Sequence, residues 1–371
     1  MVGRWLADGR FLMRLLAYQV AVLASVAGVV MVRPAGAAGV RALGDEAALR
    51  PNQVIGNEIT EGQRAGVERG LSYLASRQRR DGSFAGYGAQ GHAGITALAG
   101  LAFMSGGSLP ERGQYGQQVQ KCLDFVLASC QESGLICSDT TSGPMYGHGF
   151  ATLFLGEVFG MTRDEDIKEK LQKAVRLLQR AQSREGGWRY QPVSLDADIS
   201  VTIACVMGLR AARDAGIKVE KSVIDAAIGY VRSCQNPDGG FSYTAHGSGS
   251  GFARTAAGVA SLYYAGVFEG NEVKRGLAYL KQHVSTPMVA NSEGYFFYGH
   301  YYACQAMFLA GGEYWATYYP AIRELLISRQ TRTTGGWTGE AGEDYATAMA
   351  LIILQMPNRY LPVFHGKGAG G

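Results

Sequence analysis

The sequence predicts an all-α fold, an α6–α6 barrel (α/α toroid) of six helical hairpins, and three observations lead to this prediction. First, a motif of glutamine, a glycine pair and an aromatic residue returns about every fifty residues of the 371-residue chain. Second, each copy follows a segment with the amphipathic spacing of an outer helix. Third, each copy precedes an alanine-rich stretch that is apolar on nearly all sides, which is typical of a buried inner helix. The full copies are QSREGGW from Gln182, QNPDGGF from Gln235 and QTRTTGGW from Gln330, and QRRDGSF from Gln78 is weaker.

The twelve helices follow from this pattern in chain order. The second and fifth repeats lack a full motif. Kelch propellers repeat at a similar period, but they need four short strands per unit, and the helix-forming residues here favour helices. An open solenoid would need polar caps at both ends, so we expect the first repeat to pack against the sixth. The predicted outer helices are 61–79, 116–131, 163–182, 220–235, 272–283 and 319–330, and the inner helices begin at His92, His148, Asp198, Phe252, His300 and Asp344.

The N-terminal region differs from the repeats. Three arginines precede an apolar run over 15–32, and Ala35-Gly36-Ala37 fits a cleavage site, so residues 1–37 are predicted to be a secretory signal peptide. An uncleaved membrane anchor is the alternative, because the run is nearly long enough to span a bilayer. We therefore expect an exported bacterial protein, periplasmic or extracellular, that touches a membrane only through this segment. The remaining predicted parts are a linker at 38–55, one toroid domain at 56–361 and a flexible tail at 362–371.

Charge and cysteines exclude several classes. The net charge is only +4. Nucleic-acid binding would require a basic stripe with interleaved aromatic residues, and the sequence contains no such stripe. The six cysteines include no C-x-x-C pair, so the sequence gives no strong zinc or redox signal, and we predict no cofactor. Cys130 and Cys137, seven positions apart across a turn, are the one pair of cysteines whose spacing suggests a disulfide.

The glutamine–glycine–aromatic turns resemble the QW motifs of the prenyltransferase and squalene-cyclase superfamily. The resemblance covers roughly residues 56–361. In that superfamily the glutamine ties an outer helix to the next repeat and stacks on the aromatic residue. The resemblance implies a single α/α toroid with a central cavity, where full-length squalene cyclases have two barrels.

The inner helices share a small residue, and the position four residues before it is polar in five repeats of six. If these positions are helix starts, the side chains point to one end of the central cavity, where the helix dipoles converge. The alternative is that they are ordinary helix caps, which is strong for Asp198. The six positions are His92, His148, Asp198, Gly251, His300 and Glu343.

The segment 196–200, Asp-Ala-Asp-Ile-Ser, resembles the D-x-D-D-[TS] motif of class II terpene cyclases. In that family the middle aspartate is the general acid that protonates an alkene or epoxide, which corresponds to Asp198 here. The sequence departs from the motif at Ile199, where the family has another aspartate. We therefore expect Asp196 to be the coupled carboxylate and His148 or His300 to orient the pair.

Aromatic residues provide candidate contacts for a cationic or lipophilic substrate. Packing between helices is the competing interpretation of these rings. The predicted substrate contacts are Trp188, Tyr295, Phe297, Tyr298, Tyr301, Tyr302, Trp337 and Tyr345, together with the polar His92 and Glu343.

Three functions stay open on the sequence alone. The leading hypothesis is an exported terpenoid-cyclase-like toroid that binds a lipophilic, isoprenoid-type ligand and cyclises it after protonation. The second is a non-catalytic scaffold or binding protein, and the third is a carbohydrate-active lyase or hydrolase. A zinc site from His92, His148 and Asp198 is a minor alternative to a metal-free site. The contents of the central cavity should discriminate between these hypotheses.

Overall fold

The computed structural model describes residues 58–86, 90–138, 143–193, 195–284 and 295–366. These residues contain twelve α-helices and no strand longer than an isolated bridge, which confirms the α6–α6 barrel. The predicted signal peptide and linker lie outside the described residues. None of the helices described is long and apolar enough to cross a membrane. In chain order the helices are α1 Glu61–Arg77, α2 Ala93–Ser105, α3 Gly116–Ala128, α4 Met145–Thr162, α5 Glu165–Ala181, α6 Ile199–Asp214, α7 Lys221–Ser233, α8 Phe252–Tyr264, α9 Asn271–Val284, α10 Phe296–Ala310, α11 Gly312–Arg329 and α12 Glu343–Gln355.

The even-numbered helices form a closed inner ring. Each contacts the next, from α2 through α4, α6, α8 and α10 to α12, and α12 contacts α2. Hydrogen bonds between the sixth and first repeats reinforce the closure. The Gln330 side-chain nitrogen donates to the Gly66 carbonyl at 2.7 Å, and the Asp344 carboxylate pairs with Arg77 at 3.0 Å. The predicted packing of the first repeat on the sixth is therefore confirmed.

The repeated motif ties each hairpin to its neighbour. The Gln182 side chain donates to Gly186 in its own turn at 2.7 Å and to Val223 of the next outer helix at 2.8 Å. Gly186 has a φ of 97°, and a Cβ there would lie 2.3 Å from a carbonyl oxygen of α7, so only glycine fits. The amide of Trp188 then donates to the Thr202 hydroxyl at 3.0 Å. The equivalent amide-to-threonine bonds are Phe84 to Thr96, Phe241 to Thr255 and Trp337 to Thr347.

Three helices begin three or more residues earlier than predicted. The inner helices α4 and α10 begin at Met145 and Phe296 rather than at their histidines, and α11 begins at Gly312 rather than at Tyr319. The inner helices gain a first turn without a side-chain cap. That turn carries Tyr146 and Tyr298, and burial of these rings in the centre of the toroid offsets the missing cap.

The C-terminal region is more ordered than predicted. Residues 362–364 form a 3₁₀ turn, and Val363 and Phe364 are buried in the core. The expected flexible tail at 362–371 is therefore wrong for its first residues, because two apolar side chains anchor them. The six cysteines, all in the described regions, are free thiols, so the structure does not contain the suggested pair of Cys130 and Cys137.

Candidate functional site

The candidate site lies at the end of the toroid where the motif turns lead into the inner helices. We call this end of the toroid the mouth. Asp198 is the N-cap of α6 and is fully buried there. Its Oδ1 accepts the amide hydrogens of Ser200 at 2.8 Å and Val201 at 2.9 Å. Its own amide donates to the Trp188 carbonyl at 3.0 Å. Asp198 therefore caps the helix as expected. Both capping hydrogen bonds are made to Oδ1, so the cap uses only one of the two carboxylate oxygens.

The second oxygen of Asp198, Oδ2, is buried and makes no hydrogen bond of standard geometry within the described regions, although the nearby Tyr243 hydroxyl helps to stabilise the carboxylate. Burial raises the pKa of this carboxyl to about 6, although the amides of Val201 and Ser200 and the charge of Arg189 oppose the increase. A carboxyl with that pKa holds its proton over part of the near-neutral range. Asp198 can thus exchange a proton with a neighbouring group near neutral pH.

Three tyrosines and an arginine surround Asp198, and with it they form the mouth cluster: Arg189, Tyr190, Asp198, Tyr243 and Tyr298. The hydroxyls of Tyr190 and Tyr243 are 2.5 Å apart, and the Arg189 guanidinium lies over both rings, 5.7 and 5.8 Å from their centroids. Burial raises the pKa of all three tyrosines, and the nearby Asp198 charge adds to the effect. The phenols therefore remain neutral hydrogen-bond donors beside the carboxyl.

Aromatic rings fill the centre of the toroid below the mouth. Helices α4 and α10 occupy the second and fifth positions of the six-membered inner ring, so they face each other across it. The ring centroids of Tyr146 and Tyr298 are 6.3 Å apart, and those of Phe150 and Tyr301 are 6.0 Å apart. Tyr302 packs on both Tyr298 and Tyr301 at 4.9 Å. These five rings, the central aromatic cluster, bridge the toroid from one side to the other.

The four tyrosines of the central aromatic cluster carry buried hydroxyls. None of these hydroxyls makes a hydrogen bond of standard geometry among the residues described, although Tyr146 interacts with Tyr302, and Tyr301 with Gln305. Buried phenols of this kind are uncommon, because an unsatisfied hydroxyl costs free energy. The centre is thus an aromatic packing layer with polar atoms inside it.

Comparisons with known proteins agree with this architecture. Residues 52–137 match the family model of the prenyltransferase alpha-alpha toroid domain, and residues 151–293 match that of the squalene-hopene cyclase C-terminal domain. The resemblance to the prenyltransferase and squalene-cyclase superfamily is confirmed. A search of curated proteins gave no match.

Solved structures of several toroid enzymes share the fold. One is an alpha-1,6-mannanase from a Salegentibacter species, with a TM-score of 0.63 at 8% identity over 80% of this chain and 99% of that one. Another is a variant of the type II terpene cyclase MstE from Scytonema with geranylgeranyl dihydroxybenzoate, with a TM-score of 0.58 at 12% identity over 81% and 98%. A third is the cellobiose 2-epimerase of Bacillus thermoamylovorans, with a TM-score of 0.61 at 12% identity over 80% and 98%. At these identities the similarity shows the toroid fold alone.

The two histidines that were expected to orient the acid form hydrogen bonds elsewhere in the toroid. His148 is buried, and its Nδ1 accepts the Ile136 amide at 3.1 Å, the bond that a threonine makes in four other repeats. His300 is buried against aromatic rings, and its Nδ1 lies 2.9 Å from the Tyr318 hydroxyl of outer helix α11. Burial lowers the pKa of His148 to about 4 and that of His300 to about 3, so both are neutral. Their observed hydrogen bonds connect the inner ring to the surrounding hairpins.

The other predicted polar residues do not gather around Asp198 either. His92 caps α2, where its Nδ1 accepts the Ile95 amide at 3.3 Å. Glu343 is exposed and accepts a hydrogen bond from Tyr73 of α1 at 2.7 Å. Asp196 is largely exposed and pairs with Arg189 at 2.6 Å, which corrects the expected Asp196–Asp198 carboxyl pair. These hydrogen bonds of the three histidines and Glu343 are made to a helix amide, a motif turn or outer helices, and none of them joins two members of the predicted polar ring.

The predicted aromatic contacts divide into three groups. The indoles of Trp188 and Trp337 are buried in the hairpin core and donate to outer-helix carbonyls at 2.8 Å, so the structure places them away from any ligand surface. Tyr295 is exposed at the mouth. The remaining predicted contacts are buried in or beside the centre: Phe297, Tyr298, Tyr301, Tyr302 and Tyr345.

Several residues of the site were missed in the sequence. Tyr190 and Tyr243 each follow the motif aromatic by two positions, a signal that a comparison of the turns could have found. Tyr146 and Phe150 lie four residues apart on one helix, which resembled ordinary core packing. Among the described residues no cluster of three or more histidines, cysteines or carboxylates is arranged to hold a metal, so the minor zinc alternative has no geometric support.

Proposed function

We propose that this protein binds a lipophilic small molecule at the mouth of the toroid rather than enclosing a polyprene in its centre. The observation that carries the proposal is the contact of Tyr146 and Phe150 with Tyr298 and Tyr301 across the ring, at 6.3 and 6.0 Å. A class II cyclase must fold the whole substrate inside a dry cavity. Rings in contact from opposite sides leave no such chamber between them.

The mouth offers the surface that the centre lacks. Side chains that are unusually exposed for apolar groups lie within the mouth cluster or next to it: Tyr190, a member of the cluster, is 41% exposed, Val193 77%, Leu195 90% and Tyr295 52%. An exposed apolar patch next to a few directed polar groups is typical of a ligand site. The phenols of Tyr190 and Tyr243 would donate to an oxygen of the ligand, and the apolar side chains would cover its hydrocarbon part.

Binding of geranylgeraniol to the full-length protein, measured by isothermal titration calorimetry, tests this proposal. The Tyr295→Ser variant removes an exposed aromatic ring at the mouth and should weaken binding about tenfold. Tyr360→Ser is the matched control, because Tyr360 is 56% exposed at the opposite end of the toroid. Equal effects of the two substitutions, or no binding at all, would reject the mouth as the site. Conversion of squalene or geranylgeraniol to cyclic products would reject the non-cyclase interpretation.

A second candidate function, acid catalysis at Asp198, is favoured by one observation. Among the described residues the Oδ2 atom of Asp198 is buried without a hydrogen bond of standard geometry, and burial raises the pKa of the carboxyl to about 6. These properties suit a proton donor. Asp198→Asn keeps the cap acceptor and removes the proton, so it should abolish any protonation-initiated turnover while the protein stays folded. The carbohydrate-active alternative has no comparable support, since the predicted polar ring is dispersed.

We also propose that the protein is exported through its N-terminal segment. The support is the charged flank, the apolar run at 15–32 and the Ala35-Gly36-Ala37 site in the sequence. A fusion of residues 1–57 to a reporter that is active only outside the bacterial cytoplasm tests this directly. Lack of reporter activity, with the fusion protein detected in the cytoplasm, would reject export.

A further inference from the structure

Residues 361–366, which we call the strap, cover the lower end of the toroid, opposite the mouth. Leu361, Val363 and Phe364 are buried in the core, whereas the preceding Tyr360 is 56% exposed. Arg359, just before it, has a φ of 58°, a left-handed conformation that turns the chain from α12 toward the strap. The strap therefore begins at an exposed turn and ends in a buried apolar contact.

Two buried polar side chains of the inner ring hold the strap. The Oε1 atom of Glu157 on α4 accepts the Val363 amide at 3.2 Å, and Arg210 on α6 donates to the Gly366 carbonyl at 3.2 Å. Both side chains are buried. The Oε2 atom of Glu157 is also buried and has no hydrogen-bond partner among the described residues. One carboxyl thus bridges the inner ring and the strap while half of it is unsatisfied.

The surroundings of Glu157 favour its neutral form. Burial raises the pKa of this carboxyl to about 8; the Asp214 charge adds to the increase, and the Val363 amide and Arg210 oppose it. Arg210 is not a dedicated partner, because its Nε lies 2.5 Å from Asp214. Tyr264 of α8 and Tyr301 of α10 are the other titratable groups near Glu157. An ionised Glu157 would be buried without a cation of its own, which is strongly unfavourable.

We propose that the lower end of the toroid is a docking surface for the chain's own strap, and that the proton on Glu157 controls the docking. With Glu157 neutral, the carboxyl stays under the strap and holds the Val363 amide. When Glu157 loses its proton to solvent, the carboxylate needs water, and the strap lifts to admit it. Release exposes the apolar seat of Val363 and Phe364 and opens the end of the toroid below Tyr264 and Tyr301.

The direction of the pH effect follows from linkage. In the released state Glu157 is hydrated and its pKa returns toward the ordinary value of 4.5, whereas the docked value is about 8. Docking therefore takes up a proton between these two values. Each unit of pH increase in that interval weakens docking by up to about tenfold.

Hydrogen–deuterium exchange of the full-length protein at pH 6 and pH 8 tests the proposal, with rates corrected for intrinsic exchange. In the wild type, protection of the strap amides should fall at least tenfold at pH 8, while protection of α4 stays constant. Glu157→Gln keeps the acceptor oxygen but cannot ionise, so its strap should be equally protected at both pH values. Glu343→Gln is the matched control, because that carboxylate is exposed, and it should behave as the wild type.

Two results would overturn the proposal. One is equal protection of the wild-type strap at pH 6 and pH 8. The other is the same loss of protection in the wild type and in Glu157→Gln. Should Glu157→Gln fail to fold, Val363→Pro provides a second test, because it removes the donated N–H. Its remaining strap amides should then exchange rapidly at both pH values, and full protection at pH 6 would count against the role of the Glu157–Val363 bond.

Discussion

Tyr146 and Tyr298 bring their ring centroids within 6.3 Å of each other from helices on opposite sides of the toroid. Each ring lies on the additional first turn by which its helix exceeds the predicted length. The neighbouring pair, Phe150 and Tyr301, repeats the contact one turn deeper. These two ring contacts therefore bridge the toroid between opposite inner helices.

The central packing should contribute strongly to stability. Phe150 is buried between opposite helices, so Phe150→Ala should lower the free energy of unfolding by about 3–5 kcal/mol. Chemical denaturation monitored by circular dichroism measures this change. Val193→Ala is the control, because Val193 is 77% exposed and the substitution should cost less than about 0.5 kcal/mol. A loss below about 1 kcal/mol for Phe150→Ala would mean that the centre is loosely packed.

Asp198 should make stability fall as the pH rises. Its folded pKa of about 6 lies above the ordinary 3.8, so the folded state binds more protons between these values. The buried charge should therefore cost about 3 kcal/mol above pH 6, and none of this cost is present below pH 4. In Asp198→Asn the cost is absent, and the stability of the variant relative to the wild type should increase from pH 4 to pH 7. Thermal denaturation at several pH values measures the difference, and a difference independent of pH would contradict the prediction.

His148 should produce the opposite dependence. Its folded pKa of about 4 lies below the ordinary 6.5, so the unfolded state binds more protons in between. Stability should be fully present above pH 6.5 and decrease by about 3 kcal/mol as the pH falls to 4. His148→Asn retains an acceptor for the Ile136 amide and cannot ionise, so it should lose less stability over this range. His300→Asn provides a comparison at the second buried histidine. If the wild type and both variants lose the same stability on acidification, the two histidines are not the cause of that loss.

Gln330, the motif glutamine that closes the ring, should contribute more to the free energy of unfolding than Gln131, its counterpart in a repeat without a full motif. Gln330 donates to Gly66 and Gly335, both at 2.7 Å, and is buried. Gln330→Ala leaves both carbonyls without this donor and should cost about 2–3 kcal/mol. Gln131 occupies the corresponding position of the second repeat, but it is exposed, and among the residues described its side chain donates only to the Cys137 sulfur. Gln131→Ala should therefore cost less than about 0.5 kcal/mol, and equal costs would show that the bridging bonds add little.

The sequence by itself determined the architecture, because its signals are local and repeated. Several repeats share the helical spacing, the motif glutamine and the turn glycine that Gly186 represents. Each copy therefore supports the interpretation of the others. Asp198 was identified as a helix cap for the same reason, since a cap depends on residues only two or three positions away. Its role as a candidate acid came instead from the resemblance of residues 196–200 to the cyclase motif. The positive end of a helix dipole favours the ionised carboxylate, but the depth of burial, which is not a local property, raises the pKa of Asp198.

Only the tertiary structure decided what fills the centre and what surrounds Asp198. Tyr146 and Tyr298 belong to the second and fifth repeats, and their contact depends on closure of the ring and on helix starts that carry no capping signal. The same holds for Glu157, which meets Val363 only when the C-terminal strap folds back under the toroid. These relationships depend on long-range packing, where burial energy outweighs the local preferences that a sequence pattern reports.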